Sequence, residues 1–146
     1  MPIEIKDSDG GIGNIIAIHG LITNQELIDA FKEHLTQDIE KFKKYKYILF
    51  DHTGLTKMDI TDETVEFISG IGADASKINP ELIAAMVENV SIGSNIDHIS
   101  RVSRMHELFI YRSRWKTMIF RTRIEAVRWI KKKVREKYGI DDLAFD

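Results

Sequence analysis

The sequence predicts an α/β domain built on a mainly parallel sheet, and three observations carry that reading. From residue 15 onward, apolar runs of strand length alternate with segments of helical apolar spacing, the order that yields parallel strands joined by right-handed crossover helices. The opening differs, because two short strand-like runs flank the turn-rich "DSDGGIGN" at 7–14 and so add one antiparallel strand. The length of 146 residues suits a single core, since a chain of that size buries roughly 68–70% of the surface its unfolded form exposes. A single domain over residues 1–146 is expected, with a five-stranded, mostly parallel sheet, an N-terminal hairpin and four helices.

Each element has a local reason. "IEIK" at 3–6 alternates apolar and polar, and "IIAIHG" at 15–20 completes the hairpin. The glycines at 10, 11 and 13 lie between strands, with no helix N-terminus to complete a phosphate cradle. Thr23 or Asn24 caps a helix over about 24–42, whose inward side is Leu27, Phe31, Leu35, Ile39 and Phe42. "YKYILFD" at 45–51 holds a continuous apolar core at 47–50, suited to a strand covered on both faces. A second helix over about 61–77 aligns Val65, Ile68 and Ala75, and its Gly70, Gly72, Ala73 and Ala75 permit close approach to a sheet or a partner. A buried strand follows at 82–87, then a loop at 88–98. A third helix is marked by Ile96, Ile99, Val102, Met105 and Leu108 or Phe109. "WKTMIF" at 115–120 is the fifth strand. Thr122 caps the last helix, its inward side Ile124, Val127, Ile130 and Val134, and Gly139 stops it.

Composition removes several function classes. The chain has no Cys, which excludes disulfides, thiolate catalysis and Cys-ligated metals. No apolar run nears the roughly 18 residues of a membrane span, and "MPIEIKDSDGG" lacks an apolar signal stretch, so a cytoplasmic protein is expected. The net charge of -2 is unevenly spread: residues 1–100 hold 8 Lys/Arg against 17 Asp/Glu, and residues 101–138 hold 13 against 3. Such a basic end reads as a solvated face or as a surface for an anionic partner. Nucleic acid would require aromatics exposed beside the charges. Trp115 begins a strand and Trp129 borders an apolar stripe, so no specific nucleic acid is expected.

In α/β folds, sites gather at the carboxyl ends of strands and at the helix N-termini that follow. Residues 51–62 and 88–98 fall there, with His19 and Thr122. The stretch 51–61 reads as a loop leading from one buried strand into a helix. Its Asp59 and Thr61 read as N-cap residues, and Asp62 and Glu63 complement the helix dipole. His19 and His52 follow strands near Asp51, an arrangement suited to acid–base work. No two of the five histidines stand at the four-residue spacing of a helical metal pair, and no nucleophile, base and orienter set assembles. No enzyme, metal or cofactor is expected.

The element order and "YILFDHTGLTKMDITDE" at 47–63 together resemble the STAS domain, and within it the SpoIIAA-like branch, over about residues 3–136. In that family a strand ends in Asp, a short loop passes a Ser/Thr and an aliphatic residue, and a second Asp opens a helix with hydroxyl-bearing first residues. Asp51, Thr53, Leu55, Met58, Asp59 and Thr61 fall on those positions. The resemblance implies a SpoIIAA-like/STAS fold and a non-enzymatic regulatory module, like the anti-sigma-factor antagonists. Its implied partner is a protein such as a regulatory kinase or sigma-regulator, bound through Asp51, Thr53, Asp59, Thr61 and Asp62, with Thr61 the phosphoacceptor by position. This chain departs from the pattern at Ile60, Asp62 and Glu63, where the family has small or hydroxyl residues. Two further readings stand beside it. One is a carrier of a lipid or small apolar ligand, with His98, Arg101 and Arg104 as anion- or ligand-binding residues. The other is a homodimer formed through sheet edges or the small-residue helix.

Overall fold

A computed structural model of the chain describes residues 3–88, 107, 108 and 111–146. β1 (Ile3–Ser8) and β2 (Gly13–Thr23) form the opening hairpin. α1 (Asn24–Lys32) then passes through a π-helical turn (Glu33–Gln37) into the short α2 (Ile39–Phe42). β3 (Tyr47–Asp59), α3 (Asp62–Ile78), β4 (Ile83–Val87), β5 (Lys116–Phe120) and α4 (Arg123–Tyr138) come next. The five strands lie in the sheet in chain order, β1 antiparallel to β2 and every later pair parallel. Most of the expected 88–98 loop and third helix lies outside the described residues, and with it His98, Arg101 and Arg104.

Strand pleating divides the core in two. Ile48, Phe50, Ala84 and Met86 face Leu27 and Phe31 of α1 and Val65 and Ile68 of α3, with Phe31 stacked on Phe50 at 5.9 Å. Tyr47, Leu49, Ile83, Ala85 and Val87 face Ala126, Ile130 and Val134 of α4. Strands in sequential order joined by crossovers of one hand place those helices on one face. α4 follows the last strand, is not a crossover, and covers the other. The continuous apolar runs of β3 and β4 are therefore buried on both sides, as their composition predicts.

Three expectations need correction. Residues 51–59 are strand: β2 runs on to Thr23 and supplies a ladder that carries β3 to Asp59. β3 holds one extra residue between Asp51 and Gly54 and another between Leu55 and Lys57, relative to β2. These two bulges let polar, Gly-containing sequence stay in the sheet. Ile39 is 43% exposed because the π turn inserts an extra residue and rotates the next helical turn; Asp38 recaps the chain through Lys41 N at 3.2 Å. Ile124 is 71% exposed, and Ala126 takes the inward position. At about 100° per residue Ile124 sits some 200° from Ala126, on the opposite side of α4. Of the small residues on α3, Gly72 and Ala75 are buried against the fold, whereas Gly70 and Ala73 are half-buried.

Caps and turns match the sequence closely. Thr23 donates its N–H and hydroxyl to Glu26 at the start of α1, Thr122 caps α4 by accepting from Glu125 N at 3.2 Å, and Gly139 ends α4 with φ +72°. Asn79 closes α3 against its neighbours. Its side chain donates to Phe42 O and Tyr45 O, and its carbonyl accepts from the buried Trp115 indole at 2.7 Å.

The amino end of the sheet is knitted by polar groups. The Tyr47 ring crosses over Gly13, where a Cβ would collide with the ring carbons. Its hydroxyl meets Ser8 and donates to Asp9, which also accepts from Ala144 N and Phe145 N of the C-terminal segment. Nearby, fully buried Asn14 donates to Lys6 O and to Asp7, and turns its own Oδ1 to His34 Nε2 at 2.7 Å. That oxygen can only accept, so His34 carries a proton on Nε2 and donates it. Burial and then Lys41 lower the His34 pKa from 6.5 to about 4, against the opposing pull of Asp7.

This end of the sheet yields two testable outcomes. Gly13→Ala forces a methyl into the Tyr47 ring and should destabilise the chain by about 1–3 kcal/mol, read as a lower urea midpoint; an unchanged midpoint contradicts the contact. For His34, the unfolded chain takes up a proton near pH 6.5 that the folded chain refuses until about 4. Stability is therefore complete above 6.5 and falls by about 2–3 kcal/mol on descending through that window. Asp7, Asp9 and Asp51 act at lower pH. Burial opposes their charge but hydrogen bonds lower each below 3.8, so their contribution is lost only beneath that value. His34→Gln should remove the pH 6.5–4 slope, and a slope of equal size in the variant would refute the assignment.

Candidate functional site

β3 outruns β4. Its ladder with β4 ends at Asp51 and Val87, whereas its ladder with β2 continues to Asp59, so β2 and β3 project as a two-stranded ribbon beyond that pairing. α1 leaves the end of β2 through Thr23 and α3 follows β3 through Thr61. Asn24 Oδ1 ties the two helix starts by accepting Thr61 N at 2.9 Å.

The sequence-predicted patch separates into two groups. Asp51 and Thr53 sit at the root of the ribbon, and Asp59, Thr61 and Asp62 at its tip. Seven residues of strand lie between Asp51 and Asp59, and the eight steps span about 25 Å of extended chain.

At the root Asp51 is buried, with 6% of its surface exposed. It accepts from Thr53 N at 3.0 Å and Thr53 Oγ1 at 2.6 Å, and from Arg123 Nη1 at 2.7 Å. Burial opposes its charge, but these donors outweigh burial and hold its carboxyl below the usual value. Arg123 was not singled out by sequence reasoning, yet a signal existed: Arg121 and Arg123 flank the start of α4, where the helix dipole disfavours cations. A cation placed against that preference points to a carboxylate elsewhere in the fold.

The histidines do not join this group. His19 is half-exposed, 3.4 Å from Glu4, and its ring lies against Gly54, where a Cβ would collide with Nδ1. His52 is buried, and the described donors to Asp51 are Thr53 and Arg123, not a histidine.

At the tip Thr61 is the N-cap of α3. Its hydroxyl accepts from Thr64 N at 3.3 Å and lies 3.2 Å from Thr64 Oγ1, both long contacts. Asp59 ends the strand and does not cap the helix. Asp59, Thr61, Asp62 and Glu63 are all exposed, whereas Ile60 between them is buried and anchors the turn in the core. The tip therefore presents one reachable hydroxyl among three carboxylates at a helix N-terminus.

A solved structure of the anti-sigma factor antagonist SpoIIAA in its unphosphorylated form matches this architecture with a TM-score of 0.53, over 88% of this chain and 97% of that chain, at 11% identity. The fold is SpoIIAA-like. No family model matches the sequence, and no curated protein matches it significantly. Identity this low fixes the SpoIIAA-like fold alone; the roles of Asp51, Thr61 and Arg123 rest on their own geometry.

The Asp51–Arg123 pair joins the middle of the sheet to the start of α4. Asp51→Asn should lower stability at neutral pH by about 1–3 kcal/mol, since a buried carboxylate bonded to a guanidinium is lost. Combined with Arg123→Gln, the two changes should cost about 1 kcal/mol less than their sum. Strict additivity in urea melts would show that the pair is uncoupled.

Proposed function

We propose that this chain is a non-enzymatic regulatory module that docks on a protein partner through the tip of β3 and the first turn of α3, with Thr61 as its phosphorylation switch. The observation that carries the proposal is the exposed Thr61 hydroxyl, whose contacts with described residues are long, on a ribbon tip rimmed by Asp59, Asp62 and Glu63. SpoIIAA, described as an anti-sigma factor antagonist with an unphosphorylated form, supports the class of function. A regulatory kinase or sigma-regulator is the partner class proposed, acting on a single-domain cytoplasmic protein.

Phosphate at Thr61 would add about 1.5–2 negative charges. The helix N-terminus favours that charge, and the neighbouring carboxylates oppose it. The phosphorylated tip would then present a much stronger negative field, enough to alter docking on any charged partner surface. Open clefts lined by described residues lie beside α4 and at the amino ends of β4 and β5.

Incubation with host extract and ATP, followed by phosphosite mapping, should place phosphate on Thr61. Partner capture should fall about tenfold for Thr61→Asp, whose carboxylate mimics part of that charge. Thr61→Ala should lose about 1 kcal/mol of stability through the missing cap. An unmodified Thr61 together with unchanged capture by Thr61→Asp removes the switch; unchanged capture by Asp62→Lys/Glu63→Lys removes the docking surface.

A further inference from the structure

The most basic surface of the molecule lies away from the ribbon tip, on the outer side of α4. From Arg121 to Lys137 the chain carries eight Lys/Arg and two Glu. Arg123, Lys133 and Lys137 are paired with Asp51, Glu136 and Glu81. Arg128, Lys131, Lys132 and Arg135 form no ion pair with a described residue, and their spacing of three and four places them on one side of the helix. One turn before Arg128 on that side stands Ile124, 71% exposed.

Open clefts run along both flanks of this ridge. One is lined by Ile124, Val127 and Arg128, the other by Trp129, Lys132 and Arg135. Trp129 is only partly buried, tilted against Phe120 at 5.7 Å, whereas Trp115 is a core residue. A solvated charge face accounts for the lysines. It does not account for a large aliphatic side chain left exposed at the head of the row of cations, or for an indole edge beside them.

We propose that the outer side of α4 docks peripherally on an anionic membrane surface, with Arg128, Lys131, Lys132 and Arg135 against lipid phosphates and carboxylates, and Ile124 and Trp129 at the headgroup boundary. Charge complementarity selects the occupant: the cytoplasmic leaflet is anionic, and each Lys or Arg near it contributes independently of lipid geometry. Trp sits favourably at such a boundary because its ring is amphipathic, and an aliphatic side chain can enter it. A nucleic acid would stack bases on a free aromatic face, but the Trp129 ring packs against Phe120. A protein interface of ordinary size needs an apolar centre, and on this side of α4 Ile124 is the one exposed large apolar residue among those described. No helix among the described residues is long and apolar enough to cross a membrane. The contact is salt-sensitive, because charge supplies most of the attraction.

Flotation of the intact chain with vesicles of equal parts phosphatidylcholine and phosphatidylserine tests this. Binding at low salt, absence of binding to phosphatidylcholine alone, and a blue shift of fluorescence that Trp129→Phe abolishes are the expected results. Lys131→Gln/Lys132→Gln should weaken partition roughly thirtyfold, a factor of about five per charge. Ile124→Ser should weaken it roughly tenfold through lost apolar insertion. All three side chains point to solvent, so circular dichroism should show the fold intact. Failure to float with phosphatidylserine, equal binding to neutral vesicles, or indifference to the double lysine change would overturn the proposal. So would tighter binding to a single-stranded oligonucleotide than to anionic vesicles at matched salt, which would assign the face to nucleic acid. Thr61 variants should float normally, which keeps this result separate from that of the ribbon tip.

Discussion

The pairing of β2 with β3 is the constraint on which the rest of this structure depends. It is the longest ladder described, from Gly13 beside Tyr47 to Thr23 beside Asp59, and the starts of α1 and α3 hang from its carboxyl end. Two bulges in β3 keep the strands in register while passing residues that would otherwise break a sheet. Without them β3 would end near Asp51, and the helix starts at Thr23 and Thr61 would lack the shared frame in which Asn24 reaches across to Thr61 N.

The two ends of that ladder are treated differently. At the amino end, buried polar groups are satisfied one by one: Asn14 between Lys6, Asp7 and His34, and Asp9 between Tyr47 and the C-terminal segment. Unmet polar groups in that setting would cost more than their bonds contribute, so this end is rigid and specific. At the carboxyl end the ribbon leaves the β4 pairing, and Asp59, Thr61, Asp62 and Glu63 at its tip face water. The docking surface proposed for the ribbon tip lies at the second kind of end, where groups are not already committed to the fold.

Charge is distributed along the same lines. Acidic residues gather at the ribbon tip and basic residues on α4, with Asp51 and Arg123 bonded where the two regions approach through the fold. That bond neutralises one cation at the start of α4 and leaves the later ones outward. The molecule therefore presents two fields of opposite sign, suited to separate contacts.

Strand and helix order, the both-sided burial of β3 and β4, the caps at Thr23, Thr61 and Thr122, and the stop at Gly139 were determined by the sequence itself, since each depends on neighbours within a few residues. Tertiary structure decided whatever depends on a distant partner. Residues 52–59 became strand because β2 was there to pair with them, and their local composition favours a turn. Ile39 faced solvent because a π turn intervened, and Ile124 because helical rotation carries it away from Ile130 and Ala126. Asp51 found Arg123 across 72 residues of chain, and the five positions predicted as one patch became a root and a tip because a strand, not a compact loop, separates them. Periodicity reports which side of an element is apolar; only the assembled sheet fixes how far each strand extends and what meets at its ends.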